Sequence, residues 1–365
     1  MTTLKAHEYL SEIEIYKPGK AKLDKGSKVE VIKLSSNENA LKASPKAVAA
    51  YQQHVDEIFR YADGSCTALR EALAQKNKID VERIVCGAGS DEILAFLTAA
   101  FAGNGDEIIY SKHGFLMYPI SAKRVGAKAV AVEEKGLRAD IEAILQAITP
   151  KTKIIFIANP NNPTGSYLNA DEVQRLVDAT PKNILIVLDH AYEEFVEAGT
   201  DYPDAIALVN KNDNVVVTRT FSKIYGLASL RIGWCYSSQY VADALNKIRG
   251  PFNVGGPAQV SAVAALQDEE FFAKSKNHNT KWLAKFFAEV AGLNKIKAHP
   301  SIANFVLLDF GTTEFCKKAN EKFLQAGFIL REMAAYHLPS CLRVSIGTDE
   351  ENEKFLQLLQ EIDKN

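Results

Sequence analysis

The chain of 365 residues has no long hydrophobic run and no cysteine spacing that indicates a metal site. Its longest apolar stretch, residues 93–102, is about half of what a membrane-spanning helix needs. The five cysteines are odd in number and form no C-x-x-C pair, so we expect reduced, mostly buried thiols and no zinc site or disulfide framework.

The chain also has little net charge and no recognisable leader. A formal net charge of −2 without long blocks of one sign argues against nucleic acid as a main partner. Residues 1–19 carry mixed charges and no apolar core of signal-peptide length. These features predict a cytoplasmic protein with no membrane segment.

Hydrophobic residues make up 47% of the chain, which is enough for a large core divided between two domains. Residues 44–255 alternate strand-like and helical stretches, which predicts an α/β domain whose mostly parallel sheet forms the middle of three layers. Residues 256–365 begin with a helical stretch to about 290 and predict a smaller α+β domain. Residues 1–43 are predicted to pack on the small domain or to reach across a dimer. The predicted strands lie at 83–86, 106–110, 127–132, 153–158, 184–189, 214–219, 231–236, 303–309, 328–331 and 341–346.

Polar residues follow several of these strands directly. Lys223 comes just after the run 214–219, and Asp189 closes the run 184–188 with Tyr192 three residues later. Asn162 lies in the turn Asn-Pro-Asn-Asn-Pro-Thr-Gly that follows residue 158. Because the carboxyl ends of parallel strands meet in one crevice, we expect these side chains to converge on a ligand.

This set of residue types suits pyridoxal 5'-phosphate. The cofactor takes a lysine amine as a Schiff base, needs a carboxylate against its ring nitrogen, and needs donors for its ring oxygen. Lys223 supplies the amine, and Asn162 and Tyr192 supply donors. An ionised Asp189 is costly to bury alone, and a pyridinium N–H would give it a partner. Taken singly, such a lysine is usually a surface residue and such an aspartate often a helix cap, so the prediction depends on their conjunction.

A phosphate site is predicted at the turn Gly-Ala-Gly-Ser-Asp-Glu, residues 87–92. The turn follows a short strand and precedes an apolar helix, so free N–H groups and a helix N-terminus can face an anion. Arg231 can hold a phosphate by a two-point fork. Glu92 stands where the dinucleotide fingerprint needs its third glycine, which argues against a dehydrogenase.

Eight segments in order show that the chain resembles the fold-type I pyridoxal-phosphate aminotransferases, and among them the histidinol-phosphate aminotransferase family. The resemblance runs from about residue 16 to residue 361. Its segments are Ile-Tyr-Lys-Pro-Gly-Lys at 15–20, Ser-Asn-Glu-Asn at 36–39, Arg-Tyr-Ala-Asp-Gly-Ser at 60–65, the turn at 87, the turn at 159–165, Asp189 with Tyr192, Thr-Phe-Ser-Lys at 220–223, and Leu-Arg-Val-Ser-Ile-Gly at 342–347.

The resemblance implies a role for each matching residue. Lys223 is the Schiff-base and proton-transfer lysine, Asp189 is the partner of the pyridine nitrogen, and Phe115 stacks on the ring. Asn162 and Tyr192 hold the ring oxygen. The residues expected around the phosphate are Ala88, Gly89, Ser90, Ser222 and Arg231, with Tyr61 reaching in from the second subunit of a homodimer. The residues expected at the substrate are Tyr16, Asn39, Arg331 and Arg343, of which Arg343 receives the α-carboxylate.

The implied reaction moves an amino group from a small-molecule donor to 2-oxoglutarate, and histidinol phosphate in histidine biosynthesis is the expected donor. An aromatic amino acid aminotransferase is an alternative, because residues 333–339 look like the subgroup that also accepts phenylalanine and tyrosine. A lyase or decarboxylase on the same fold would use the same lysine and aspartate. The chain departs from many relatives at Phe115, where tyrosine is common, and at His190, where glutamate is common.

Overall fold

The computed structural model describes residues 4–15 and 29–364. Within this part of the chain, no helix is both long and apolar enough to cross a membrane. The strands are β1 (Ile32–Lys33), β2 (Ile84–Gly87), β3 (Glu107–Ser111), β4 (Lys128–Val132), β5 (Glu134–Lys135), β6 (Arg138–Ala139), β7 (Thr152–Ala158), β8 (Leu185–Asp189), β9 (Val215–Thr220), β10 (Gly233–Tyr236), β11 (Lys297–His299), β12 (Phe305–Asp309), β13 (Phe328–Ile329), β14 (Arg331–Glu332) and β15 (Cys341–Ser345).

Helices surround these strands, and a 3-10 turn at Glu8–Glu12 precedes them in the chain. The helices are α1 (Pro45–Gln53), α2 (Thr67–Asn77), α3 (Ser90–Phe101), α4 (Met117–Arg124), α5 (Ile141–Gln146), α6 (Ala170–Ala179), α7 (Ala205–Lys211), α8 (Gln239–Ile248), α9 (Gly256–Leu266), α10 (Glu269–Ala291), α11 (Thr313–Gln325) and α12 (Asp349–Lys364).

A seven-stranded sheet in the order β2-β10-β9-β8-β7-β3-β4 forms the centre of the large lobe. All neighbouring strands are parallel except β10, which is antiparallel to both β2 and β9. Every residue of β8 is buried, as expected for a strand covered by helices on both faces. The predicted α/β fold class is therefore confirmed.

The strand predicted at residues 231–236 begins at Gly233, two residues later than predicted. Arg231 has a left-handed backbone conformation with φ of 49°, and it ends a short 3-10 turn before β10 starts at Gly233. A residue in this conformation cannot continue a β-ladder, because a strand needs an extended backbone. The apolar pattern around Arg231 gives no sign of this turn.

A four-stranded antiparallel sheet in the order β11-β12-β15-β14 forms the small lobe. Its core includes Trp282 and Phe286 from α10 and Phe355 from α12. Residues 32–33 pair in parallel with residues 328–329, so this part of the N-terminal segment lies against the small lobe. Residues 8–12 instead pack on α4 of the large lobe, where Lys123 Nζ donates to the Glu12 carbonyl at 2.9 Å.

The long helical stretch expected after residue 256 is divided into α9 and α10. The division falls at Asp268, whose side chain accepts a hydrogen bond from the Phe271 backbone N–H and so caps α10. The buried residues Ala258 and Ala262 of α9 belong to the core of the large lobe. The predicted domain boundary between residues 255 and 256 stays a prediction.

Candidate active site

A cavity of about 160 Å³ lies at the carboxyl ends of β7, β8 and β9, beside the start of α3. The sheet topology brings these strand ends together because β7, β8 and β9 are adjacent and parallel. Eight of the predicted site residues line the cavity, namely Ser90, Phe115, Asn162, Asp189, Tyr192, Ser222, Lys223 and Arg231.

Lys223 reaches the cavity from the loop that follows β9. Its Nζ lies 3.5 Å from the Ser36 carbonyl oxygen and 5.5 Å from the centroid of the Tyr192 ring. Ser36 belongs to the segment that follows β1 on the small lobe, so the amine lies where the two lobes meet. An amine in this position can reach a ligand that is held against the end of the large sheet.

Asp189 is the last residue of β8, and its side chain is buried with 5% of the residue exposed. The Tyr118 hydroxyl donates to Oδ2 at 2.9 Å, and the Thr218 hydroxyl donates to Oδ1 at 3.0 Å. Burial raises the pKa of Asp189, and these two hydrogen bonds act in the opposite direction because they favour the ionised form. The carboxylate thus has neutral donors and can still accept from a cationic N–H.

Tyr192 is fixed from the small-lobe side by Asn37. The Asn37 Nδ2 donates to the Tyr192 hydroxyl at 2.9 Å, and the Tyr192 ring packs edge-on against Phe305 with centroids 5.2 Å apart. Asn37 is buried and has a left-handed backbone with φ of 54°, a conformation that asparagine adopts more readily than most residues. The Ser345 hydroxyl donates to the Asn37 side-chain oxygen at 2.9 Å.

Asn162 and Arg343 connect the two lobes across the cavity. Arg343, on β15, donates through Nη1 to the Asn162 side-chain oxygen and through Nη2 to the Ser35 carbonyl at 2.9 Å. Its guanidinium also lies over the Phe305 ring, 5.2 Å from the centroid. Because the Asn162 oxygen accepts from Arg343, its Nδ2 group is the part that can donate to a ligand.

Arg231 and the start of α3 form the opposite end of the cavity. The Arg231 Nη1 donates to the Ser222 hydroxyl at 3.3 Å and to the Ala228 carbonyl at 3.0 Å. Gly89 has φ of 87°, and a Cβ atom there would lie 2.3 Å from Arg231 Nη2. The N-cap residue Gly89 offers no side chain to the first N–H groups of α3, and Ser90, the first residue of the helix, lines the cavity with Arg231.

One predicted donor at this end already has a partner. The Ala88 backbone N–H donates to Glu92 Oε2 at 2.7 Å, and Asn253 Nδ2 donates to the same oxygen at 2.7 Å. Glu92 therefore stabilises the turn that contains Gly89, while Ala88 contributes backbone shape to the site.

Four predicted residues lie away from the cavity or outside the described structure. Tyr61 is 84% exposed and stacks on Phe252 with centroids 4.5 Å apart. The Asn39 side chain donates to the Ile224 carbonyl at 2.5 Å and to the Ser275 hydroxyl at 3.1 Å. Arg331 lies on β14 opposite Arg343. Tyr16 falls outside the described residues, so its predicted role stays a prediction.

His190 is buried behind Asp189 and is neutral. Burial lowers its pKa to about 3, and the nearby charge of Arg219 acts in the same direction. Its Nδ1 lies 2.7 Å from Glu193 Oε2, and Glu193 is also ion-paired to Arg219. Since a carboxylate only accepts, Nδ1 carries the hydrogen and donates to Glu193. His190 thus contributes a fixed hydrogen bond below the strand end and no positive charge near Asp189.

Sequence reasoning did not assign Tyr118, Thr218 or Asn37 to the site, although each contacts a predicted residue. A hydroxyl residue opposite Asp189 on the neighbouring strand could have indicated Thr218, because the two are cross-strand partners. The Asn37 role could have been suspected from the Ser-Asn-Glu-Asn segment, which contains both Asn37 and the predicted residue Asn39. Nothing in the local sequence pairs Tyr118 with Asp189.

The fold and the arrangement of the cavity residues are those of an aminotransferase, and the sequence comparison agrees. The sequence model of the family "Aminotransferase class I and II" matches residues 29–359, so the chain belongs to this family. The predicted aminotransferase activity class is therefore confirmed.

Two curated relatives are similar over nearly the whole chain. The histidinol-phosphate aminotransferase of Paramagnetospirillum magneticum is 48% identical over 334 residues, covering 91% of this chain and 91% of that protein. The histidinol-phosphate aminotransferase of Rhodospirillum centenum is 47% identical over 330 residues, covering 90% of this chain and 91% of that protein.

A solved structure has the same architecture. The histidinol-phosphate aminotransferase from Sinorhizobium meliloti, crystallised in complex with pyridoxal-5'-phosphate, superposes with a TM-score of 0.90 at 26% identity, covering 100% of this chain and 98% of that one. The predicted resemblance to fold-type I aminotransferases is thereby confirmed.

Proposed function

We propose that this chain is a pyridoxal-phosphate-dependent histidinol-phosphate aminotransferase, which transfers the amino group of histidinol phosphate to 2-oxoglutarate. The observation that carries the proposal is the placement of Lys223 and the buried Asp189 in one cavity. The family match and the names of the two relatives support the reaction and the donor. This function belongs to histidine biosynthesis.

The residues of the cavity fit the cofactor at both ends. Asp189 is a buried carboxylate with neutral donors on both oxygens, which suits a protonated ring nitrogen. Gly89 leaves room that a Cβ atom would fill, beside a guanidinium and an uncapped helix N-terminus, which suits a phosphate. Phe115 also lines the cavity, which suits its predicted role of stacking on the ring.

When bound, pyridoxal 5'-phosphate supplies an aldehyde that takes an amine and a ring that accepts an electron pair. Lys223 would hold the cofactor through Nζ, and its neutral amine would move a proton at the substrate carbon that carries nitrogen. Asp189 keeps the ring nitrogen protonated, and Asn162 Nδ2 and the Tyr192 hydroxyl bind the ring oxygen. Arg343 binds the carboxylate of 2-oxoglutarate by a two-point fork.

The protein acts as a homodimer in this proposal. An exposed apolar patch covers the end of α1, the segment after it and the segment around Phe252. Its most exposed members are Ile58 at 67%, Phe59 at 74% and Tyr61 at 84%. Exposed large apolar residues grouped in this way are typical of a protein–protein interface. A second copy at this patch brings Tyr61 to the phosphate of the neighbouring site. The cytoplasmic location stays a prediction.

The choice between histidinol phosphate and an aromatic amino acid is tested by comparing rates. Purified wild-type protein is assayed with histidinol phosphate, phenylalanine, tyrosine and aspartate, each with 2-oxoglutarate, and Lys223→Ala serves as the inactive control. We expect histidinol phosphate to give the highest kcat/KM. A higher value with phenylalanine would favour the aromatic alternative, and release of carbon dioxide instead of a carbonyl product would indicate a decarboxylase.

Arg331→Ala sharpens the same test. The resemblance implies that Arg331 binds the phosphate of histidinol phosphate, although Arg331 does not line the cavity around Lys223. If it has this role, its loss should lower kcat/KM for histidinol phosphate by roughly tenfold or more and should leave phenylalanine nearly unchanged. Arg175→Ala is the matched control, because Arg175 lies on α6 and pairs with Glu142 at the surface. Equal losses on both substrates would remove Arg331 from phosphate recognition.

A further inference from the structure

The Tyr118 hydroxyl contacts the Asp189 carboxylate from a helix that carries none of the assigned catalytic residues. Tyr118 lies on α4, is buried, and donates to Asp189 Oδ2 at 2.9 Å. We propose that Tyr118 is a positioning residue, whose hydroxyl holds the Asp189 carboxylate in the orientation and ionised state that the ring nitrogen of the cofactor requires. This inference rests on the proposed cofactor.

Two phenylalanine rings pack against the Tyr118 ring and fix its orientation. It stacks on Phe156 of β7 with centroids 4.7 Å apart and planes 8° apart. Phe115, which lines the cavity wall, packs edge-on against it with centroids 5.9 Å apart. Because β7 is the neighbour of β8, the stack holds the phenol beside the strand that ends at Asp189. A side chain with such packing loses little further freedom when it donates.

The Tyr118 hydroxyl can act only as the donor in its hydrogen bond to Asp189. Burial and the nearby Asp189 charge raise the pKa of Tyr118 well above its ordinary value, so the phenol stays protonated and donates. Burial raises the pKa of Asp189, and the donations from Tyr118 and Thr218 oppose that rise. No ion pair to Asp189 occurs among residues 4–15 and 29–364. The two hydroxyls are thus the main groups that favour the ionised carboxylate before a cofactor binds.

Among the described residues, four further titratable side chains lie near Asp189, namely Asp91, His190, Tyr202 and Lys223. The negative charge of Asp91 raises the pKa of Asp189, whereas His190 carries no charge, because burial lowers its pKa to about 3. All four remain in a Tyr118→Phe variant. A change in the titration of Asp189 in that variant therefore reports the loss of the Tyr118 hydroxyl.

Tyr118→Phe removes the hydroxyl and keeps the ring stack. Apoprotein is prepared for the wild type and the variant, and pyridoxal-phosphate affinity is measured by equilibrium dialysis. The measurements run from about pH 5 to about pH 9, because burial raises the pKa of a carboxyl above its value in water. We expect the variant to bind roughly tenfold or more weakly, because a hydrogen bond to a charged group is lost. We also expect the acidic decline in affinity to move to higher pH, because a carboxylate that has lost a donor takes up a proton more readily.

Tyr110→Phe is the matched control, because Tyr110 is half-buried on β3 and its hydroxyl is not bonded to Asp189. It should leave both the affinity and its pH dependence unchanged. Tyr118→Phe is also measured in an Asp189→Asn background, where its effect should shrink severalfold because no charge is left to stabilise.

Each alternative outcome has a distinct meaning. If Tyr118→Phe lowers the melting temperature but leaves the affinity and its pH dependence unchanged, Tyr118 only packs, and the inference is wrong. The same conclusion follows if its effect is equal in the wild-type and Asp189→Asn backgrounds. If wild-type apoprotein itself does not bind pyridoxal phosphate, the proposed function fails and the inference fails with it.

Discussion

The two ends of the cavity differ in how many contacts a single chain supplies to their charged side chains. At the Asp189 end, both carboxylate oxygens already accept from buried hydroxyl donors. At the Arg231 end, the arginine side chain is 47% exposed, and its distance to Asp91 is 3.6 Å. An exposed pair of this kind contributes little to stability. Tyr61, the residue predicted to complete this end, points to solvent in the single chain.

The difference follows from the cost of burying charge. A buried carboxylate cannot be solvated by water, so its partners must be supplied by the fold before any ligand arrives. A half-exposed guanidinium is solvated by water and can exchange that water for a phosphate. The Asp189 end, which we call the closed end, should therefore control the chemical step. The Arg231 end, which we call the open end, should control how tightly the cofactor is held and, in the proposed homodimer, how the second subunit contributes.

The largest effect is expected at the closed end, from Asp189→Asn. An amide has the same shape but cannot keep the ring nitrogen protonated as a carboxylate does, so the ring accepts electrons poorly. We expect kcat to fall roughly 10²- to 10³-fold, as for loss of one strong electrostatic contact. Single-turnover kinetics at saturating cofactor separate this chemical effect from weaker binding.

Asp178→Asn provides the control for that measurement, since the Asp178 carboxylate accepts from Gln174 at the exposed surface of α6. Near-normal single-turnover rates in Asp189→Asn would mean that the closed end does not control the chemistry, and the contrast between the two ends would be lost.

A smaller effect is expected at the open end, from Gly89→Ala. A Cβ atom at this position would lie 2.3 Å from Arg231 Nη2, so the guanidinium must move. We expect cofactor affinity to fall roughly tenfold, because a charge-assisted contact to the phosphate is displaced, while kcat at saturating cofactor stays within a few fold. Equilibrium dialysis and steady-state kinetics provide the two measurements.

Gly105→Ala separates the clash from backbone strain. Gly105 has φ of 88°, close to the 87° of Gly89, but a Cβ atom there would meet nothing within 4 Å. Both substitutions should cost roughly 1–3 kcal/mol of folding stability, because an alanine is strained at a positive φ. If both lower cofactor affinity equally, the effect comes from strain and the Arg231 cradle is not involved.

The fold was predictable because several of its strands are runs of apolar residues that are followed by polar residues. β8 is a continuous Leu, Ile and Val segment that ends at Asp189, and β9 begins with three valines and ends at Thr220. Their parallel pairing brings the residues beyond them together. Lys223, Asp189 and Asn162 could therefore be expected at one cavity. The start of β10 could not, because the apolar residues around Arg231 give no sign of its left-handed backbone.

The contacts that orient the site were not predictable for a related reason. Tyr118 and Asp189 are 71 residues apart in the chain, and they meet only because α4 packs beneath the end of the sheet. Asn37 and Asn39 have the same side chain in one short segment. Tertiary contacts distinguish them, because Asn37 meets Tyr192 and Ser345, whereas Asn39 meets Ile224 and Ser275.

The smallest effect, and the one that links the open end to a second copy, is expected from Tyr61→Phe. Tyr61 is 84% exposed, its hydroxyl makes no hydrogen bond within residues 4–15 and 29–364, and a phenylalanine ring can keep the stack on Phe252. If Tyr61 of a second copy donates to the cofactor phosphate, its loss should weaken cofactor affinity severalfold to about tenfold. Tyr240→Phe is the control, since Tyr240 is 76% exposed at the start of α8. If dialysis gives the same cofactor affinity for Tyr61→Phe and Tyr240→Phe, Tyr61 of a second copy does not contact the phosphate. Arg231 and α3 alone would then complete the open end.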